Sequence, residues 1–149
     1  MRALIQRVTS GKVSVGGKII SQIGKGYVIL LGVMEGDSQK EADILAEKII
    51  NLRVMSDGDG KMNLSIKDTD GEILVVSQFT LYADLKGGRR PSFIDAAKGG
   101  TANNLYLYFN TKLKNLGIKN VQTGEFGAEM KVEIVNDGPV TIMVDSEEI

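Results

Sequence analysis

Two hydroxyls and an amide lie within four residues of one another, directly after a stretch that reads as a buried strand. Ser77, Gln78, Phe79 and Thr80 follow the apolar residues 73–76. Polar side chains just past a buried strand are a common location for sites in α/β proteins. Hydroxyl, amide and backbone N–H groups can orient a carbonyl and stabilise a developing oxyanion without a charged side chain. From the residue types alone, an ordinary strand with Thr80 hydrogen-bonded to its neighbours is the favoured explanation, and a site is the alternative.

A second segment, residues 136–141, places Gly138 and Pro139 between two apolar stretches. Gly-Pro between strands is typical of a turn. Because proline is confined to the edges, starts and bulges of sheets, Pro139 is expected to begin the last strand. A cis bond before proline, found in roughly 5–6% of folded cases, would aim the carbonyls of Gly138 and Pro139 in an unusual direction. From the residues alone, this cis form is the minority expectation.

A third segment, residues 86–91, combines the cations Lys86, Arg89 and Arg90 with two glycines. Glycine lets the backbone approach a ligand, and cations suit phosphate. The spacing and the Ser/Thr of a P-loop are absent, so a solvated loop and a phosphate-binding loop explain the pattern equally well. Three further lysines nearby in the sequence would extend a basic patch: Lys98, Lys112 and Lys114.

The composition restricts which chemistry is available. The 149 residues include no cysteine and no histidine, and the net charge is −1. Disulfides, thiol nucleophiles and Cys-based zinc sites are therefore excluded, together with the usual neutral-pH base and any Ser-His-Asp triad. Residues 56–61 superficially resemble a calcium loop, but Lys61 and Met62 occupy positions where an EF-hand needs Asp or Asn and Gly. The sequence thus predicts no metal site and no cofactor.

The elements that must position these segments follow an α/β pattern. Gly16-Gly17 predicts a hairpin. Ser38 and Glu41 form a capping-box pattern at the start of a helix whose core-facing stripe runs to Leu52. A second helix is expected over residues 102–116, with Gly117 as its stop. Strands are expected at residues 3–8, 13–15, 19–20, 27–34, 53–55, 73–76, 121–123, 130–135 and 140–144.

Two helices and roughly eight strands predict a single α/β domain over residues 1–149, with the helices on one face of the sheet. The strands at 27–34 and 73–76 are apolar on both sides, so the opposite face needs a second sheet layer or a partner subunit. No apolar run approaches the ~18 residues that a membrane span requires, and residues 1–7 are too short and polar for a signal peptide. A cytoplasmic protein without membrane contact is expected.

Together these segments resemble the D-aminoacyl-tRNA deacylases, small enzymes that hydrolyse D-amino acids from mischarged tRNA. The resemblance covers essentially the whole chain and is most specific at two motifs, Ser-Gln-Phe-Thr at residues 77–80 and Asn-x-Gly-Pro-Val-Thr at residues 136–141. It implies a homodimer of layered α/β/β domains, with mixed sheets, two main helices and an active site at the subunit interface. It also implies tRNA as the partner and neither DNA nor a cofactor.

The same resemblance implies roles for individual residues. Ser77, Gln78, Phe79 and Thr80 would line the catalytic pocket that holds the aminoacyl end of the tRNA. A Gly-cisPro element, inserted from the partner subunit, would meet the α-amino group and exclude an L side chain. That element is Gly138-Pro139, with the neighbouring motif residues Asn136, Val140 and Thr141; the resemblance makes the bond before Pro139 cis.

Rejecting one substituent at Cα needs only steric exclusion, which rigid backbone provides well. Glycine has no side chain to exclude, so glycyl-tRNA is expected as a second substrate. In the family, the 2′-hydroxyl of the terminal ribose is thought to assist the attacking water, with Thr80 as the alternative nucleophile. Since no base is evident for Thr80, the RNA-assisted route is favoured. The alternatives outside this class are a non-catalytic RNA-binding module and a structural dimer whose Gly-Pro segment only seals the interface.

Overall fold

The computed structural model describes all 149 residues, as a curved mixed sheet with both helices packed on one face. The two predicted helices are confirmed, and the structure has eight strands whose boundaries differ from the prediction. The strands expected at 3–8 and 13–15 are one strand, as are those expected at 130–135 and 140–144, and the short strand Met62–Leu64 was not predicted. The elements are β1 (Arg2–Val15), β2 (Lys18–Ile23), β3 (Gly26–Gly32), α1 (Gln39–Asn51), β4 (Met55–Ser56), β5 (Met62–Leu64), β6 (Glu72–Ser77), α2 (Gly99–Asn115), β7 (Val121–Thr123) and β8 (Lys131–Asp145).

The main sheet has the order β2-β1-β3-β6-β7, and β8 pairs with the other side of β1. The pairs that involve β1 are antiparallel, whereas β3–β6 and β6–β7 are parallel. The first half of the long strand β1 pairs with β3 and its second half with β2. Strands β4 and β5 form a separate small hairpin. β1 is therefore the strand that joins the parallel part of the sheet to its curled edge.

Strands β3 and β6 are buried on both faces, as their apolar runs predict. Tyr27 and Ile73 belong to the larger core, which contains the buried faces of both helices. Val28 and Leu74 point the other way, into a smaller core closed by the second half of β1, by β2 and by β8. A Cβ at Gly11 would lie 2.5 Å from Val28 Cγ2, so glycine is needed where the curled strand crosses β3. This curl supplies the second sheet layer.

Both helices begin and end for identifiable reasons. The capping box at α1 is confirmed: Lys40 N–H donates to Ser38 Oγ (3.2 Å) and Ser38 N–H donates to Glu41 Oε2 (2.7 Å). Leu52, predicted in the core stripe, is the half-buried C-cap and packs against the larger core. α2 begins three residues earlier than predicted, and Gly117 follows its last turn at φ +104°. Neither helix is long and apolar enough to span a membrane.

The predicted turn at residues 136–139 is wrong. β8 runs from Lys131 to Asp145 as one strand, with Gly138 and Pro139 inside it. The register with β1 explains this arrangement, because Asn136 pairs with Val8 and Thr141 with Gln6. Four residues of β8 thus lie opposite a single residue of β1 and form a bulge, after which pairing resumes. Proline is tolerated at such a position because the bulge needs no ladder hydrogen bond from it.

Candidate active site

A cavity of about 480 Å³ opens beside the carboxyl end of β6. Ser77, Gln78 and Phe79 form part of its lining, and none of its lining side chains is ionisable. The rest of the wall is mostly small or apolar and comes from the end of β3, the start of α2, the segment between β7 and β8, and the start of β8; it includes Val33, Ala97, Ala102, Phe126, Met130 and Val132. Such a pocket excludes water from a substrate and offers few, directed polar groups. No cluster of three or more carboxylates that could hold a metal lies anywhere in the structure.

Residues 77–80 do not continue as an ordinary strand. Ser77 ends β6, and the N–H of Gln78 donates to Leu31 O (2.8 Å), so the backbone remains tied to β3. A 3-10 turn begins at Phe79. The first N–H groups of such a turn have no acceptor within it. Backbone donors, the Ser77 hydroxyl and the Gln78 amide are therefore brought to one edge of the cavity, where they can polarise a carbonyl.

Thr80 lies at the rim of the cavity, exposed, and is not part of its lining. Its hydroxyl oxygen accepts a hydrogen bond from Gln78 Nε2. An amide cannot deprotonate a hydroxyl. The nearby Tyr82 is no base either, because burial raises the pKa of its hydroxyl well above the ordinary range and keeps it protonated. The geometry therefore offers Thr80 no proton acceptor.

Arg2 holds the 3-10 turn against the sheet. Its Nη1 donates to Leu81 O (3.2 Å), and its guanidinium lies 4.6 Å from the centre of the Tyr82 ring. Its Nε also donates to Asp145 Oδ2 (2.6 Å). Burial alone would raise the pKa of Asp145, but hydrogen bonds from Arg2 and the Glu147 N–H outweigh it and hold the pKa below its ordinary 3.8. The turn is thus anchored by a charged pair at neutral pH.

The Gly-Pro bulge of β8 is rigidly held although it is exposed. The bond between Gly138 and Pro139 is cis. Asn136 spans the bulge: its Oδ1 accepts from Val140 N–H (3.1 Å) and its Nδ2 donates to Thr141 Oγ1 (2.9 Å). Gly138 has φ +128°, and a Cβ there would lie 2.8 Å from Val140 Cγ2. The bulge therefore has no room for another residue at position 138.

Arg7, which sequence reasoning left unassigned, supports the same bulge from below. The residue is only 8% exposed. Its Nε donates to Asp137 O (3.1 Å), and its Nη1 donates to Val54 O (2.8 Å) and Ser56 Oγ (3.3 Å). A buried guanidinium with carbonyl partners on two separate segments fixes their relative position. The only sequence signal was that Arg7, like Gln6, interrupts the apolar residues 3–8, and Arg7 is the one that is buried.

A single chain does not bring the two motifs together. None of residues 136–141 lines the cavity. The bulge lies opposite Arg7, which pairs with Tyr27 and hence with Ile73, four residues before Ser77 on β6. At ~3.3 Å per residue, the bulge lies about 13 Å along the strands from Ser77, and β1 and β3 separate the two. The bulge and the cavity are therefore distinct features of one chain.

Lys86, Arg89 and Arg90 lie in an exposed loop between Asp84 and Ser92. Two backbone hydrogen bonds of 2.8 and 2.9 Å between Asp84 and Ser92 close its base, and the structure gives none of the three cations an ion pair. Of the lysines expected to extend the patch, Lys112 instead pairs with Asp43 (3.1 Å) and Glu47 (3.4 Å) on α1. Lys98, the N-cap of α2, and Lys114, in its last turn, have no ion pair in the structure, so free cations also lie on α2 beyond the loop.

Sequence reasoning found the polar edge of the cavity but not its apolar walls. Ala97 and Ala102 lie in one stretch of the chain, Met130 and Val132 lie in another, and neither stretch has distinctive residue types. Only the tertiary fold shows that they enclose one space. Phe126 carries a weak signal, because an aromatic residue between short polar stretches is unusual for a surface loop.

Known proteins are similar to this chain in sequence and structure over nearly its full length. A D-aminoacyl-tRNA deacylase of Thermosipho melanesiensis is 52% identical over all of this chain and 99% of the relative. One of Clostridium kluyveri is 54% identical with the same coverage. A solved structure named c-Myc DNA Unwinding Element Binding Protein is 44% identical, with TM-score 0.92 over 97% of this chain and 98% of that one.

A structure described as a probable eukaryotic D-amino acid tRNA deacylase is only 18% identical but has the same fold, with TM-score 0.83 over 97% of this chain and 98% of that one. The model of one family, described as D-Tyr-tRNA(Tyr) deacylase, matches residues 4–145. Both motifs and the cavity wall between them lie inside that match. The chain belongs to the D-Tyr-tRNA(Tyr) deacylase family.

Proposed function

We propose that this protein, a D-aminoacyl-tRNA deacylase, works as a homodimer in which the Gly-Pro bulge of one subunit completes the cavity of the other. The observation that carries the proposal is the separation of the two motifs. The bulge is exposed, held by Asn136 and Arg7, and distant from its own cavity. A rigid projection without a partner in its own chain, together with a cavity that opens at the surface, fits an isologous dimer.

The sheet offers a face on which two subunits would meet. Met143, Leu4, Leu30 and Val76 stand side by side on four neighbouring strands, in register. Met143 is 49% exposed, Leu4 and Leu30 are half-buried, and Val76 lines the cavity. This apolar row connects the cavity of one chain to its exposed edge near the bulge. Burying it against a second copy would remove apolar surface from water and set the two sites side by side.

In this dimer the bulge acts as a chiral filter for the aminoacyl group. The carbonyls of Gly138 and Pro139 bind the α-amino group, and the backbone around them leaves no space for an L side chain. Such a filter depends on the position of its backbone more than on attraction. This explains why the buried Arg7 and the spanning Asn136 both hold the four residues of the bulge in place. Glycine offers nothing to exclude, so glycyl-tRNA is a second substrate.

Hydrolysis proceeds by attack of water on an ester that is already activated. The Ser77–Thr80 edge binds and polarises the carbonyl. Since no side chain of the cavity titrates near neutral pH, the terminal 2′-hydroxyl of the tRNA supplies the group that assists the water. The enzyme works in the cytoplasm, where aminoacyl-tRNA is used.

Mixing two inactive variants tests the cross-subunit site. Gly138→Ala damages the bulge and Gln78→Ala damages the cavity edge, so each homodimer should be nearly inactive. A heterodimer of the two variants contains one intact site, and random pairing should restore about a quarter of the wild-type rate. The measurement is the rate of D-Tyr-tRNA deacylation by the co-expressed variants, against each variant alone.

A chain that carries both substitutions, co-expressed with a chain that carries Gln78→Ala, provides the control, because no pairing then yields an intact site. Restoration only in the first mixture supports the shared site. Equal, near-zero rates in both mixtures, with heterodimers shown by native mass spectrometry, would place Gly138 and Gln78 in the same subunit's site and reject the proposed arrangement.

A further inference from the structure

We propose that the loop of residues 84–94 binds the single-stranded 3′ end of the tRNA, just upstream of the terminal nucleotide. The inference rests on the proposed function and adds a defined RNA surface to it. Three free cations on this loop bind phosphates, and its exposed apolar side chains contact bases and riboses. We call residues 84–94, which include Phe93 and Ile94, the strand-binding loop.

The strand-binding loop begins at the rim of the cavity. Phe93 packs edge-on against Phe79, with 5.0 Å between the ring centres, and Phe79 lines the cavity. Arg89 is three residues from Ser92 at the base of the loop, hence at most about 10 Å further out. Stacked nucleotides rise ~3.4 Å each, so the loop tip lies within reach of the few unpaired nucleotides that precede a substrate end held in the cavity.

The apolar exposure on this loop has no structural explanation within the chain. Ile94 is 82% exposed and Leu85 is 74% exposed, the two highest values among the large hydrophobic side chains. Phe79 is 54% exposed beside them. Clustered apolar exposure marks a contact surface. Aromatic and apolar side chains among cations are the combination with which proteins bind single strands without reading their sequence.

The positive charges of the strand-binding loop favour RNA as its ligand. Lys86, Arg89 and Arg90 are exposed, without ion pairs, on a protein whose net charge is only −1. Packing of this loop against the same loop of a second copy, across a two-fold axis, would bring the three cations against each other, which disfavours self-association of loop with loop. A duplex keeps its bases stacked and presents phosphates, 2′-hydroxyls and base edges, none of which is an apolar partner for Leu85 and Ile94. A single strand uses both kinds of side chain.

Comparing two substrates tests the inference. The first is full-length D-Tyr-tRNA, and the second is D-tyrosyl-adenosine, which lacks everything upstream of the terminal nucleotide. For a Leu85→Ala/Ile94→Ala variant, KM for the tRNA should rise about ten-fold, with kcat unchanged and with unaltered kinetics on D-tyrosyl-adenosine. For a Lys86→Ala/Arg89→Ala/Arg90→Ala variant, the slope of log KM against log salt should fall by about 2.

Leu107→Ala, at 53% exposure on α2, and Lys48→Ala on α1 are the matched controls, and both should behave as wild type. Unchanged KM for tRNA in both loop variants, or an equal loss on both substrates, would overturn the inference. So would competition by a blunt duplex but not by a single strand that ends in CCA. If wild type hydrolyses neither substrate, the proposed function itself fails; if it hydrolyses both and only the loop effects are missing, this inference alone fails.

Discussion

Replacing Gly138 with alanine should lower the rate of D-Tyr-tRNA deacylation about 100-fold, because a displacement near 1 Å in a catalytic arrangement is enough for such a loss. The new Cβ would lie 2.8 Å from Val140 Cγ2 and 2.9 Å from Arg7 Nη2. The Cβ would also lie 3.1 Å from the Val140 backbone nitrogen, which is held by its hydrogen bond to Asn136, and Arg7 is buried between two segments. The bulge itself must therefore shift. The measurement is kcat/KM for D-Tyr-tRNA together with the ratio of the D to the L rate.

Gly16→Ala is the matched control. Gly16 also has positive φ (+56°), but no atom lies within 4 Å of the position that an alanine Cβ would occupy, and the residue is near neither motif. The variant should carry the backbone strain without the loss of activity. A different result is expected if the Gly-Pro segment only seals the interface between subunits. If Gly138→Ala weakens the dimer yet leaves the D-to-L ratio and the rate of the remaining dimer intact, the filter role is wrong.

A tRNA that ends in 2′-deoxyadenosine should be hydrolysed at least about 100-fold more slowly than the normal substrate, the usual contribution of a positioned proton-transfer group. The cavity has no ionisable lining side chain, and the chain has no histidine or cysteine. The 2′-hydroxyl next to the ester is then the group available to assist the attacking water. The measurement is single-turnover deacylation of D-tyrosyl esters that differ only in that hydroxyl.

Thr80→Ala is the companion experiment and distinguishes the two routes. Its hydroxyl has only the Gln78 amide as a partner and lies at the rim, so its removal should cost no more than a few-fold in rate. Full activity on the deoxy substrate combined with loss of activity in Thr80→Ala would reverse the assignment and make Thr80 the nucleophile.

The parts of this molecule that local chemistry determines could be predicted from the sequence. The α1 capping box at Ser38, the hairpin at Gly16-Gly17 and the doubly buried strand β6 all depend on residues near one another in the chain. The polar edge at residues 77–79 was found for the same reason. The 3-10 turn there was not, because it depends on the distant contact between Arg2 and Leu81 O.

The misplaced turn at residues 136–139 shows where local rules fail. A Gly-Pro pair usually ends a strand. Here the long partner strand β1 continues past it and pairs with β8 on both sides of the bulge. Arg7 escaped notice because its role exists only where β1, β4 and the bulge meet. The walls of the cavity are likewise assembled from distant stretches. The bulge, the role of Arg7 and the cavity walls all depend on contacts between distant parts of the chain. Such contacts leave little trace in the composition or the hydrophobic periodicity of the sequence.

The proposed backbone filter should admit D-aminoacyl and glycyl esters and reject L-aminoacyl esters. The most direct test is to measure deacylation of D-Tyr-tRNA, L-Tyr-tRNA and Gly-tRNA by the wild-type protein under identical conditions. We expect the D-tyrosyl and glycyl esters to be cleaved and the L-tyrosyl ester to remain at its spontaneous rate of hydrolysis. Rapid loss of the L-tyrosyl ester would contradict the account.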